Sequence, residues 1–166
     1  MGYYVRAIRL SQWPKKGENP PIEEYSSYVV TDNLKTNEDK ELSFWEVDDL
    51  EGMDTVADII ASGLKSKASL DLVAVESGDL QKHFDYNQKP GATSYKEKNL
   101  LHRNVIVQNY RQVGEIALII KAAIEREECV LHKTAKELRN SLKKLISEGK
   151  IKEDRIDLIK SVYEIE

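Results

Sequence analysis

The spacing of apolar residues changes along the chain, and that change restricts the architectures open to it. Residues 41–47 alternate, with Leu42, Phe44 and Glu46 on one side of an extended chain and Ser43, Trp45 and Val47 on the other. A period of two is the mark of a strand. From residue 100 onward the period is helical: Ile106, Tyr110, Val113, Ala117, Ile120 and Ile124 recur at steps of three and four. Leu131, Ala135, Leu138, Leu142, Leu145 and Ile146 form a second such stripe, closed by Gly149, a residue suited to a C-terminal cap. Strands first and helices second predict an α+β fold. Its N-terminal, mostly antiparallel sheet contains one crossover helix and is covered by C-terminal helices.

The other elements fit around these. Tyr3, Val5, Ala7 and Arg9 alternate with Tyr4, Arg6, Ile8 and Leu10 in a first strand. Residues 11–24 contain Pro14, Gly17, Pro20 and Pro21 and read as an ordered loop. Residues 25–31 resume the strand pattern, and 32–40 form a polar hairpin connection. A short helix carries Val56, Ile59, Ile60 and Leu64, with Asp54 or Thr55 as its cap. Residues 70–75 are apolar and β-branched, as in a central strand. Ser77 is suited to cap one or two turns through Leu80 and Phe84. Residues 85–96 form a loop with the turn pair Pro90-Gly91. A brief strand at 105–107, followed by a shorter helix, is the competing reading of the first helical stripe. Ile156, Ile159 and Val162 suggest a last short helix.

A chain of 166 residues, 40% apolar and 33% charged, has the composition of one globular domain over 1–166. Its strands are expected mainly within 3–75 and its helices mainly within 100–164. The single cysteine, Cys129, has no internal partner and lies among glutamates, which oppose thiolate formation. The N-terminal residues lack a basic start followed by a long apolar run, so a cytoplasmic protein with no membrane span is expected.

Charge is unevenly distributed. Between Asp32 and Asp58 there are ten acidic residues against Lys35 and Lys40, while the whole chain carries only −4. Such a stretch is a candidate surface for a basic partner, because summed charge steers association. Carboxylates at a strand end also suit Mg²⁺ or Ca²⁺, but a calcium loop starting at Asp48 needs glycine where Met53 stands.

The motifs of several enzyme classes are absent. There is no Gly-x-Ser-x-Gly, and the lack of any Gly-x-Gly removes both dinucleotide and P-loop fingerprints. His83, His102 and His132 show no zinc spacing. His102 and Arg103 fall at the expected start of the long helix, where an anion would find free N–H groups. Lys136, Arg139 and Lys143 share one face of the later helix and could follow phosphates, though the acidic balance and lack of aromatics there speak against nucleic acid.

The reading that follows is a small acidic interaction module, such as an inhibitor or immunity protein of a basic nuclease toxin. It requires no cofactor and no catalytic residue. Trp45 would anchor the partner, ringed by Glu46, Asp48, Asp49, Glu51, Asp54 and Asp58. The alternatives are a metal-dependent phosphodiester hydrolase using Asp48, Asp49 and Glu51, with His83 or His102, and a regulatory nucleic-acid binder using Lys136, Arg139 and Lys143. A homodimer through the apolar helix at 100–124 is compatible with all three.

Overall fold

The computed structural model describes residues 2–90, 93–96 and 98–166. Among them, six strands form one sheet: β1 (Tyr3–Ile8), β2 (Glu41–Val47), β3 (Leu70–Glu76), β4 (Tyr86–Asn87), β5 (His102–Ile106) and β6 (Val130–Lys133). Their spatial order is β4-β5-β2-β1-β3-β6, and every neighbouring pair is antiparallel. β2 and β3 therefore run parallel to each other on either side of β1. Helix α1 (Gly52–Ala61) makes the crossover between them. The expected α+β class is what the structure shows.

Helices cover both faces of the sheet rather than one. Alternation decides which residues meet which layer. Tyr4, Ile8, Leu42, Phe44, Val73, Val75 and Val105 point to one side, against α2 (Ser77–Gln81), α3 (Tyr110–Ile124) and the loop residues Trp13, Val29 and Leu34. Val5, Val47, Leu72 and Ala74 point to the other. There they meet α1, α4 (Ala135–Ser147) and α5 (Glu153–Tyr163) through residues such as Val56, Leu138, Leu142, Ile159 and Tyr163. The two faces assigned to β1 and β2 from their alternation are the two observed.

Four segments differ from expectation. Residues 85–96 are not loop throughout, because Tyr86–Asn87 pair with Val105 and Asn104 as β4. The strand expected over residues 25–31 does not form; Val29–Asn33 make a π-helical turn. The buried Asn33 holds it there: its side chain accepts from the Arg9 N–H and donates to Gln12 Oε1 (2.7 Å) and the Tyr28 carbonyl (3.1 Å). The helix expected from residue 100 begins only at Tyr110. Asn109 caps it, accepting from the Gln112 N–H at 3.1 Å. Residues 102–106 are instead β5, pairing with the free edge of β2 from Glu41↔Ile106 to Trp45↔His102. Leu131 belongs to β6, not to the second helical stripe, because Thr134 and Glu137 close a capping box that starts α4. Gly149 ends α4 at φ +67°, as its position suggested. Of the turn pair Pro90-Gly91, Gly91 lies outside the described residues.

One close approach fixes the entry to α1. A Cβ on Gly52 would lie 2.6 Å from Cβ and 2.8 Å from Cγ1 of the buried Val47. Gly52→Ala is therefore expected to lower stability by about 1–3 kcal/mol, the usual range for overpacking. A thermal or urea melt checks this, and a neutral result would show that Val47 yields freely.

Candidate functional site

Folding divides the acidic stretch. β2 carries it from one end of the sheet to the other, and its seven residues span about 20 Å at roughly 3.3 Å per residue. Five of the ten carboxylates then meet cations. Asp32 pairs with Arg9 (2.9 Å), Asp39 and Glu41 with Lys89 (3.7 and 2.6 Å), Glu46 with Arg103, and Asp54 with Lys133 (2.6 Å). Glu41 is buried and belongs to the framework rather than to a surface.

The turn between β2 and α1 retains Asp48, Asp49 and Glu51, all exposed and with no cation partner among the described residues. Asp49 also shapes the backbone: its Oδ1 accepts from the Gly52 N–H at 3.1 Å, at the first turn of α1. That turn starts earlier than a cap at Asp54 or Thr55 would place it. A depression of about 270 Å³ adjoins these carboxylates, walled by Val47, Thr55, Lys98 and Leu101.

The remaining residues of the expected surface are placed elsewhere. Trp45 is half-buried and stands edge-on to His102, with ring centroids 4.9 Å apart, because the two are register partners across β2 and β5. Asp54 turns towards Lys133 of β6. Burial pushes the Asp58 carboxyl above its ordinary value, opposed by a hydrogen bond from Ser141 of α4. The fold therefore collects three of the seven expected partner-binding residues at one exposed turn.

The alternative sites are also laid out. Lys136 and Lys143 are exposed on α4, while Arg139 donates to the Glu164 carbonyl. His102 and Arg103 lie on β5, not at a helix start. His83 is exposed, edge-on to Phe84. Among the described residues, no three His, Cys, Asp or Glu side chains are placed to hold a metal ion. Cys129 is buried, and desolvation raises its thiol pKa, so it stays protonated near neutrality. The apolar stripe of α3 lies against the sheet through Val113, Ile116, Ala117, Ile120 and Ile124, leaving Tyr110 and Leu118 exposed. No helix among the described residues is long and apolar enough to cross a membrane.

A second place was not visible in the sequence. A cavity of about 750 Å³ opens between the loop at 10–16, the end of α3, and strands β3 and β6. Leu10, Trp13, Pro14, Ile124 and Val130 give it apolar walls, and Ser11, Lys15, Lys16, Asp71, Glu127 and His132 complete its lining. Asp71 and His132 are register partners, which brings His132 Nδ1 to 2.6 Å from Asp71 Oδ1. The other Asp71 oxygen accepts from the Leu10 N–H at 3.3 Å. A carboxylate that orients a histidine is the base half of a nucleophilic site, but no hydrogen bond joins Ser11 to that ring. Asp71 and His132 are 61 positions apart, so no local spacing could announce the pair.

No family model, curated protein or solved structure matches the chain.

Proposed function

We propose that the protein is an interaction module for a basic partner protein, as an inhibitor or immunity protein of a nuclease toxin would be. It engages that partner through Asp48, Asp49 and Glu51. The observation that carries this reading is their exposure, without an ion-pair partner among the described residues, at a turn held by both a strand and a helix, whereas five of the ten acidic residues are paired with cations. Carboxylates fixed on rigid elements present a lasting negative potential to an approaching cation. The adjoining depression, with Val47, Thr55, Leu101 and the half-buried Lys98 in its walls, offers room for the stem of a lysine or arginine. Trp45, half-buried on β2 against His102, contributes support rather than an anchor.

The test is affinity capture from native cells with the natural protein and with a D48N/D49N/E51Q bait. Asparagine at 49 keeps the acceptor for Gly52, so the turn is preserved. A basic protein held by the first bait and lost by the second is the expected outcome. With that partner in hand, the neutralised variant should associate about 10-fold more slowly at low salt and lose most of its salt dependence. Equal capture by both baits would reject this surface.

A further inference from the structure

We propose that the cavity between the 10–16 loop and the β3–β6 edge is a binding site for a small amphipathic carboxylate. Its volume of about 750 Å³ falls within the range of roughly 300–1,000 Å³ typical of small-molecule sites. The cavity shares no residue with the acidic turn and stands independently of the reading above.

The loop that walls this cavity is built rather than loosely draped. Lys121 of α3, 3% exposed, donates to the Lys15 carbonyl at 3.1 Å and also pairs with Glu125. Glu125 in turn accepts from the Gly17 N–H at 2.9 Å. A buried lysine thus ties the loop backbone to the helix, and Trp13 packs in the same core cluster as α3, edge-on to Tyr25 at 6.4 Å. The wall exists before any ligand arrives, so little ordering is required on binding.

Two features distinguish the place from ordinary packing. Trp13 is only 5% exposed, yet its indole N–H has no acceptor among the described residues. Buried donors are nearly always satisfied, so this wall is incomplete as it stands. One charge is also unpaired. Lys16 pairs with Glu127 (3.4 Å) and the Asp71 carboxylate is hydrogen-bonded to the His132 ring, while the Lys15 ammonium has no carboxylate partner among the described residues. An apolar body would lie against Trp13, Ile124 and Val130, with its anionic head at Lys15.

The probe is 8-anilinonaphthalene-1-sulfonate, which joins an apolar body to one sulfonate. It should bind saturably at one site and take up excitation energy from Trp13. Octanoate should displace it at a concentration at least about 10-fold lower than octan-1-ol, which has the same chain without charge. Lys15→Glu should abolish that difference; the Lys121 tether uses the Lys15 backbone, so the variant keeps the loop in place. Val130→Trp should fill the cavity and remove binding of both, whereas Lys143→Glu, on α4, should change neither. Near-UV circular dichroism establishes that each variant is folded. Equal displacement by acid and alcohol, undiminished acid preference in Lys15→Glu, or absence of saturable binding would overturn the assignment.

Discussion

Truncating Phe44 to alanine is expected to lower the free energy of unfolding by about 3–5 kcal/mol, the range for removing a fully buried aromatic side chain. Phe44 is 0% exposed at the centre of β2. Its ring lies 6.2 Å from that of Tyr4 and 5.5 Å from the Arg6 guanidinium. Arg6 is fixed from two sides, donating to the Asn33 carbonyl at 2.9 Å and to that of Ser43. Burial brings its pKa down to about 10, still well above neutrality, so a charged group covers the ring. Alanine would leave both a void and a cation without its aromatic face. Phe44→Leu, which restores most of the volume but not the ring, should cost only about 1–2 kcal/mol. Urea unfolding with an unchanged slope separates the two variants. A loss below about 1 kcal/mol for alanine would mean that α2 and α3 close over the site.

The same residues show why part of the architecture was legible in the sequence. In β1 and β2 apolar residues on alternate sides, Tyr4, Ile8, Leu42 and Phe44 against Val5 and Val47, each meet their own helical layer, so local pattern and tertiary demand agree. Gly149 was legible for a similar reason: a helix end requiring positive φ favours the one residue without a Cβ. Residues 25–31 failed because their strand pattern is overridden by Asn33, whose partners Arg9 and Gln12 lie more than twenty positions away. The leading reading of residues 102–106 as helix failed for a different reason, while the competing one, a brief strand followed by a shorter helix, is close to what forms. Ile106 extends the stripe of α3 at a step of four, and only the Asn109 cap separates strand from helix. The break before α4 was, by contrast, readable: Thr134 and Glu137 have the spacing of a capping box, and it excludes Leu131 from the helix.

The candidate sites follow the same division. The linear density of acidic residues was correct, but a strand places neighbours in sequence at opposite ends of a sheet, and the pairing cations come from distant segments. Lys89, Arg103 and Lys133 lie respectively 48, 57 and 79 positions beyond Glu41, Glu46 and Asp54. Sequence charge therefore overstated the patch. The cavity could not be seen at all, since its apolar walls come from a proline-containing loop, a helix end and an edge strand.

Removing the Glu41 side chain is the second change expected to have a large effect, and its signature is in pH. Glu41 starts β2 at 6% exposure, and its carboxylate takes four hydrogen bonds. Lys89 Nζ and Asn87 Nδ2 donate to Oε1 at 2.6 and 2.7 Å, and Asn37 and Asn104 donate to Oε2 at 3.0 and 3.1 Å. The bond from Lys89, then those from Asn87 and Asn37, lower its pKa from 4.5 to about 2, against the opposing effect of burial. A depressed carboxyl pKa stabilises the folded state fully above the unfolded value, and that contribution disappears as pH falls through about 4.5 towards 2. The full shift corresponds to about 3 kcal/mol, which screening around the half-exposed Lys89 reduces to about 2 kcal/mol. Glu41→Ala additionally strands the Asn104 amide, 3% exposed, and the loss near neutral pH should be about 2–4 kcal/mol. Because Asn87 and Lys89 hold the two-residue strand β4 through this carboxylate, its amides should exchange faster in the variant before the rest of the sheet responds. Urea midpoints of natural and Glu41→Ala protein at pH 7, 4 and 3 check the assignment. The gap between them should narrow steadily as the solution becomes acidic, and a gap independent of pH would place the stabilisation in packing rather than in the charged carboxylate.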